Sequence, residues 1–185
     1  MADPSSGACV MAVEIIPVWK RVDPELQAEV ARYWIENGAM QDEAKAAERA
    51  KEVACIARLD GRVVGVTTVY PRVVTALRQP MYYLRMHIAA PARNQALSIP
   101  FVNESFDEIE RQELAKDKVK CIGVILQLQN ERLAAHYNEA YWWQSKFVFA
   151  GYSPEDHQIR VRYFEGARLP PPVMLPKAKA QAGAA

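Results

Sequence analysis

Cysteine and histidine are scarce in this chain, which has three of each among 185 residues. The cysteines, Cys9, Cys55 and Cys121, are widely separated, and the last two lie in apolar runs where a buried thiol is expected. An odd number of cysteines without a regular framework favours a reducing compartment. Because neither residue type shows the spacing of a metal site, we expect no metal.

The chain also lacks an excess of charge of either sign and any long hydrophobic run. Its formal net charge is +1, which indicates neither a nucleic-acid partner nor an acidic membrane surface. No apolar stretch approaches the length of a membrane span. The segment Met1–Val10 has neither the basic residues nor the apolar region of a signal peptide. We therefore expect a cytoplasmic protein that binds no nucleic acid and no membrane.

Hydrophobic residues make up half of the sequence, which is enough for the core of one domain of this length. From Leu169 onward the chain is rich first in proline and then in alanine and lysine, with little to bury. We therefore expect a flexible N-terminus over residues 1–11, a single domain over residues 12–168, and a disordered tail over residues 169–185.

Hydrophobic periodicity predicts alternating strands and helices. Asp23 and Pro24 are a typical helix start, and Asp60-Gly61 is a strong hairpin turn. The segment from Met81 to Leu128 predicts a strand–helix–strand unit with parallel strands. The predicted strands are Val13–Trp19, Val53–Leu59, Arg62–Tyr70, Met81–Ile88, Val119–Leu128, Lys146–Tyr152 and Gln158–Phe164. The predicted helices are Asp23–Gly38, Gln41–Glu52, Ile99–Leu114 and Asn130–Tyr141. This order predicts a mixed α/β fold, a sheet with helices on its faces.

The segment from His87 to Ser98 has the pattern of an anion-binding loop. A predicted strand ends there at Pro91, and Arg93 follows. The small residues Ala96 and Ser98 then precede a predicted helix. A helix N-terminus offers unpaired N–H groups and a partial positive charge, and small residues allow a phosphate to approach the backbone.

Three local motifs resemble those of the GNAT acyltransferase superfamily. Asp60-Gly61-Arg62-Val63-Val64-Gly65 resembles the family's entry to its third strand, D-G-x-hydrophobic-hydrophobic-G. Arg93–Ser98 resembles the acyl-CoA signature R/Q-x-x-G-x-G/A, and Asn130–Tyr141 resembles N-x-x-A-x-x-x-Y-x-x-x-G-F. The resemblance covers about Val13 to Phe164. It implies a GNAT-like central mixed sheet of about seven strands flanked by about four helices.

The resemblance also implies acyl transfer from acyl-CoA, acetyl-CoA first, to the amine of a small molecule or peptide. Arg93 would support the phosphates by its charge. The backbone near Ile88 would donate an N–H to the thioester carbonyl, which stabilises the developing oxyanion. The residues implied to bind the cofactor are Ile88, Arg93, Asn94, Gln95, Ala96, Leu97, Ser98 and Asn130.

Two residues are implied to take part in catalysis. Tyr137 stands where the family has a tyrosine that protonates the leaving thiolate. His87 is the titratable residue nearest the expected centre, and an imidazole suits a base near neutral pH. Each has a structural alternative, because Tyr137 and His87 also fit roles in core packing. Arg93 is also compatible with a solvated loop charge.

The sequence departs from the family pattern where glycines are expected, since Ala96 and Ser98 replace both. A methyl group is compatible with helical backbone but is strained where a left-handed conformation is needed. Two alternatives therefore stand beside the acyl-CoA enzyme. One is an acyltransferase that uses acyl-carrier protein and a longer acyl chain, and the other is a non-catalytic GNAT-like module. Pairing of two copies through Lys146–Phe164 is also compatible with the sequence.

Overall fold

The structure is a computed structural model, and it describes residues 13–93 and 96–174. These described residues form eight strands and four α-helices, with a short 3-10 helix at Ala90–Ala92. In chain order the elements are β1 (Glu14–Pro17), α1 (Pro24–Glu36), α2 (Glu43–Ala50), β2 (Val53–Leu59), β3 (Arg62–Val74), β4 (Gln79–Ile88), α3 (Ser98–Leu114), β5 (Gly123–Leu128), α4 (Glu131–His136), β6 (Tyr141–Trp142), β7 (Phe147–Tyr152) and β8 (Gln158–Tyr163).

The strands form one mixed sheet in the order β1-β2-β3-β4-β5-β8-β7-β6. Strands β4 and β5 are parallel, with Tyr82 opposite Val124 and Leu84 opposite Leu126, and α3 connects them as predicted. The predicted mixed sheet and its four helices are confirmed. The strand count is eight rather than about seven, because a two-residue strand, β6, pairs with β7.

The contacts divide the chain into two compact units. The first extends to Val69 and includes Arg85–Ile109, and the second comprises Tyr70–Leu84 and the chain from Glu110 onward. Strands β3 and β4 and helix α3 therefore contribute residues to both units. The prediction of a single domain over residues 12–168 stays a prediction.

The core of the first unit is built by the apolar face of α1. Asp23 caps this helix by accepting the N–H of Leu26 at 2.8 Å, as its sequence predicts. Gly65 lets α3 approach β3, because a Cβ there would lie 2.9 Å from a ring atom of Phe101. The buried residues of this core include Val30, Tyr33, Trp34, Val53, Ile56 and Val66.

The second unit has its own apolar core and a buried carboxylate. The core cluster contains Val74, Met81, Tyr83, Ile122, Ile125 and Val161. Glu113, fully buried, accepts a hydrogen bond from the hydroxyl of Tyr82 at 2.8 Å and pairs with Lys116. It also accepts the backbone N–H groups of Lys120 and Cys121. The predicted strand Val119–Leu128 begins only at Gly123, because the backbone before it is hydrogen-bonded to the carboxylate of Glu113.

The connection between β3 and β4 is shorter than predicted. The predicted strands end at Tyr70 and begin again at Met81, but in the structure β3 continues to Val74 and β4 begins at Gln79. A tight turn joins the two strands, with Arg78 in a left-handed conformation at φ 51°.

Part of the predicted disordered tail has defined contacts in the structure. The N–H of Val173 donates to the carbonyl of Arg78 at 2.9 Å, and the side chain of Gln79 donates to the carbonyl of Pro170 at 3.0 Å. These two bonds connect Pro170 and Val173 to the β3–β4 turn. The disordered tail over residues 169–185 stays a prediction. Residues 1–12 and 175–185 lie outside the described part of the chain. Among the described helices, none has the length and apolar character of a membrane span.

Candidate functional site

The loop between β4 and α3 places Arg93 beside the end of β4. The Nε of Arg93 donates to the carbonyl of Ile88, the last residue of β4, at 2.9 Å. This bond fixes the stem of the side chain. Arg93 is exposed, so its guanidinium is accessible to an anion from solution. The predicted cofactor residues Asn94 and Gln95 lie outside the described residues.

Ala96 adopts the left-handed conformation that glycine would tolerate without strain. Its φ is +50°, and a Cβ in this region costs about 1–2 kcal/mol. The position is the first glycine of the acyl-CoA signature. The sequence analysis left open whether the backbone here is helical or left-handed, and the structure has it left-handed.

Helix α3 begins at Ser98, directly after the buried Leu97. The first hydrogen bond of the helix runs from the N–H of Phe101 to the carbonyl of Leu97 at 3.0 Å. Pro100 has no N–H, so Ser98 and Ile99 carry the N–H groups of the first turn that have no acceptor within the helix. Together with the helix dipole, these donors suit a phosphate oxygen.

His87 forms a hydrogen-bonded pair with a tyrosine of α1. Its Nδ1 lies 2.9 Å from the hydroxyl oxygen of Tyr33, and that hydroxyl donates to the carbonyl of Val64 at 3.1 Å. The phenol has one proton and two acceptors close by, the Nδ1 of His87 and the carbonyl of Val64. In the tautomer in which the phenol donates to Val64, His87 carries its own proton on Nδ1 and its Nε2 atom is the proton acceptor.

The surroundings keep His87 neutral and Tyr33 protonated. Burial is the largest cause that lowers the pKa of His87, and the charges of Arg93 and Arg49 lower it further. Burial raises the pKa of Tyr33 to about 12. At neutral pH the pair is therefore an imidazole base oriented by a phenol, which is the form that a general base requires.

Three charged residues near this pair were missed by the sequence analysis as site residues. The guanidinium of Arg49, on α2, lies 5.3 Å from the ring centre of Trp34. Arg85 precedes His87 by two residues on β4, so both side chains lie on one face of the strand. Burial raises the pKa of Glu52, and the charges of Arg85 and Arg49 oppose this shift. Only the alternation along β4 could have revealed Arg85, whereas Arg49 and Glu52 carry no local signal.

In the second unit, Tyr137 lies at the end of α4 rather than within it. The predicted helix Asn130–Tyr141 ends at His136, and Tyr137 is its half-buried C-cap. Asn130 caps the other end of α4, because its side-chain oxygen accepts the N–H groups of Arg132 at 3.0 Å and Leu133 at 3.2 Å. The cofactor-binding role of Asn130 stays a prediction.

A buried arginine of β8 explains why α4 stops. Arg160 is 1% exposed and donates to the carbonyls of Tyr137, at 2.9 Å, and Glu139. A continued helix would direct these carbonyls along its own axis. The guanidinium also stacks on Trp142, 4.3 Å from its ring centre, and the rings of Trp142 and Tyr137 meet edge to face at 5.4 Å.

The fold is shared with solved structures of low sequence identity. A Salmonella typhimurium protein, YncA, whose structure holds its cofactor acetyl-CoA, superposes with a TM-score of 0.60 at 12% identity, over 86% of this chain and 98% of that one. An acetyltransferase of the GNAT family from Streptococcus pneumoniae gives 0.54 at 14% identity, over 83% and 99%. The ribosomal-protein-S5-alanine acetyltransferase of Vibrio fischeri gives 0.53 at 11% identity, over 85% and 94%. The chain has the GNAT fold.

The GNAT fold confirms the resemblance that the three motifs indicated, although sequence comparisons do not detect it. No protein-family profile and no curated protein matches the chain in sequence. Within the described ranges, no group of three or more His, Cys, Asp or Glu side chains is placed to hold a metal ion.

Proposed function

We propose that this protein is an N-acyltransferase that moves an acyl group, acetyl first, from acyl-CoA to an amine. The observation that carries the proposal is the β4–α3 loop on a GNAT fold, where Arg93 is anchored to the carbonyl of Ile88 in front of the first turn of α3. Structural neighbours that hold acetyl-CoA support the choice of donor.

The residues of the loop fit a phosphate group, with one restriction. The backbone N–H groups at the start of α3 would bind the phosphate oxygens, and the guanidinium of Arg93 would add charge-assisted hydrogen bonds. The left-handed Ala96 places a methyl group where the family pattern has none. We therefore expect binding of acyl-CoA that is weaker than a glycine at this position would allow.

In the proposed reaction, the Nε2 of His87 removes a proton from the acceptor amine, which then attacks the thioester carbonyl. The N–H near Ile88 stabilises the negative charge that develops on the carbonyl oxygen. The carbon–sulfur bond breaks as the amide forms, and the thiolate leaves. For Tyr137 we propose the role that the resemblance implies, donation of the phenol proton to this thiolate.

Calorimetric titration with acetyl-CoA tests the proposal, with free CoA as a second ligand. We expect micromolar binding by the protein, and a loss of at least about tenfold in Arg93→Glu because the substitution places a negative charge at the phosphates. Arg62→Glu, a charge reversal at the exposed first residue of β3, is the matched control and should bind like the unaltered protein.

Two results would contradict the proposed site. Normal binding by Arg93→Glu would place the phosphates elsewhere. An absence of binding to either compound would reject the acetyl-CoA enzyme and favour the second candidate, a carrier-protein donor or a non-catalytic module. The conformation of Ala96 is the observation that favours this candidate, because it weakens the phosphate loop.

A further inference from the structure

The hydroxyl of Tyr33 joins the ring of His87 to the backbone at the end of β4. Its oxygen lies 2.9 Å from the Nδ1 of His87 and 3.1 Å from the carbonyl oxygen of Val64 on β3. The same carbonyl accepts the N–H of Ala89, the residue after the last residue of β4, at 2.8 Å. All four residues belong to the first compact unit. One phenol of α1 therefore connects the proposed base with both neighbouring strands.

The two possible directions of the phenol O–H allow different numbers of hydrogen bonds. If the phenol donates to Val64, its oxygen accepts the N–H of the Nδ1 of His87, and two hydrogen bonds form. If the phenol donates to Nδ1, one of these two bonds is lost, and the phenol and carbonyl oxygens face each other at 3.1 Å with no proton between them. Buried polar atoms favour the arrangement that pairs more of them. The geometry therefore favours a proton on the Nδ1 of His87.

Burial holds this arrangement in place at neutral pH. Tyr33 is 4% exposed, and its ring meets the ring of His87 edge to face with the centres 5.5 Å apart. Burial raises the pKa of Tyr33 to about 12 and lowers the pKa of His87, so the phenol keeps its proton and the imidazole is neutral. Of the residues that the structure describes, none forms a hydrogen bond with the Nε2 of His87. Nδ1 thus has a buried partner, and Nε2 is the nitrogen that can meet a substrate.

We propose that Tyr33 is a positioning residue that holds the proton of His87 on Nδ1 and thereby makes Nε2 the nitrogen that takes the proton of the amine. The inference rests on the proposed function, because His87 is the base of that reaction. A neutral imidazole has one N–H and one lone pair, and the hydrogen bond at one nitrogen sets which nitrogen is protonated. When Nε2 takes up a proton, the Nδ1–H bond to the phenol is retained, so the ring need not turn during the reaction.

Nitrogen-15 NMR of the imidazole rings tests the inference without any acetylation. The chemical shift of a ring nitrogen shows whether it carries a proton, and the chain has three histidines, so the spectrum of His87→Gln identifies the signals of His87. In the unaltered protein at neutral pH we expect Nδ1 to be protonated and Nε2 to be unprotonated. Tyr33→Phe removes the hydroxyl and keeps the ring, and it should shift both signals toward those of a mixture of the two tautomers.

Steady-state kinetics measures the consequence for the reaction. The release of free CoA from acetyl-CoA is followed with ethanolamine, putrescine and benzylamine as acceptors. For any amine that is acetylated, Tyr33→Phe should lower kcat by about tenfold and leave the KM for acetyl-CoA within about twofold, because the phenol contacts the base. Tyr83→Phe is the matched control. It removes the hydroxyl of another buried tyrosine, which donates to Gln127 at 2.8 Å, and should leave kcat and the signals of His87 unchanged.

The outcomes separate a failure of the inference from a failure of the proposed function. A proton on the Nε2 of His87 in the unaltered protein would overturn the inference, and this result does not require Tyr33→Phe to fold. A proton that stays on Nδ1 in folded Tyr33→Phe would overturn it as well, as would a changed tautomer with an unchanged kcat. If none of the three amines is acetylated, the proposed function fails this test, and the spectra alone decide whether Tyr33 sets the tautomer.

Discussion

Ala96 is the residue at which this chain departs most clearly from the acyl-CoA signature of the GNAT fold. Its left-handed backbone at φ +50° places a Cβ in a conformation that favours glycine. The neighbouring Leu97 is buried and α3 starts at Ser98, so both follow directly on the strained residue. The strain therefore lies directly beside the donors proposed to hold a phosphate.

We predict that Ala96→Gly stabilises the protein and strengthens acetyl-CoA binding. Removing the Cβ relieves about 1–2 kcal/mol of strain, and the added freedom of glycine in the unfolded chain costs about 0.5–1 kcal/mol. A rise of up to about 1 kcal/mol in the free energy of unfolding should appear in urea titrations. Ala90→Gly, in the 3-10 helix of the same loop, is the control and should destabilise. Equal losses in both variants would contradict the strain at Ala96.

His87 gives the reaction a predictable dependence on pH. Its pKa in the folded protein lies below the ordinary 6.5, because burial and the charges of Arg93 and Arg49 disfavour the protonated ring. The base is active only when it is neutral, so kcat/KM should fall on the acid side with an apparent pKa below 6.5. A pH profile of kcat/KM measures this limb. In His87→Gln we expect kcat/KM to drop by about 10²–10⁴-fold and the limb to disappear.

The lowered pKa of His87 also makes the folded protein less stable at acid pH. The unfolded chain binds a proton at His87 more readily than the folded protein does, so acid favours unfolding. This contribution is complete above the unfolded pKa of 6.5 and is lost as the pH falls toward the lower folded value.

An acid limb in kcat/KM that persists in His87→Gln would assign the base to another group.

At the scale of elements, the end of α4 depends on a residue far along the chain. Arg160 donates to the carbonyls of Tyr137 and Glu139 and stacks on Trp142, so one side chain of β8 organises the turn between α4 and β6. Burial lowers the pKa of Arg160, and a buried guanidinium is stable only while its hydrogen bonds are made. The orientation of Tyr137 therefore depends on β8.

We predict that Arg160→Met destabilises the protein by about 2–4 kcal/mol, because the carbonyls of Tyr137 and Glu139 lose their charged donor. Urea denaturation measures the loss, and hydrogen exchange should show faster exchange of the amides between α4 and β6. Arg132→Met, at an exposed position of α4, is the control and should change stability by less than about 0.5 kcal/mol. A small effect of Arg160→Met with unchanged exchange would show that the turn holds without this arginine.

At the scale of the whole molecule, the elements that sequence reasoning predicted share one property. The Asp60-Gly61 hairpin, the cap of α1 at Asp23 and the strand–helix–strand unit all depend on residues close together in the chain. The errors share the opposite property. The start of β5 depends on Glu113, and the end of α4 depends on Arg160.

The candidate site likewise combines features that depend on neighbouring residues with features that join distant ones. The loop at Arg93 and the alternation of Arg85 and His87 can be read from the sequence, because a strand end, a helix start and a period of two are local patterns. The pairing of Tyr33 with His87 joins residues 54 positions apart, and the contact of Arg49 with Trp34 joins α2 to α1. No local sequence pattern predicts either contact.

The sequence by itself thus determined the mixed fold, its four helices and the loop in which an arginine precedes a helix N-terminus. These follow from hydrophobic periodicity, capping and turn residues, which act within a few positions of one another. Only the tertiary structure decided that Ala96 is left-handed, that His87 is held by Tyr33 and that Arg160 ends α4. These features arise where distant segments pack together. Buried polar groups there need hydrogen-bond partners, and those partners are not specified by the local sequence.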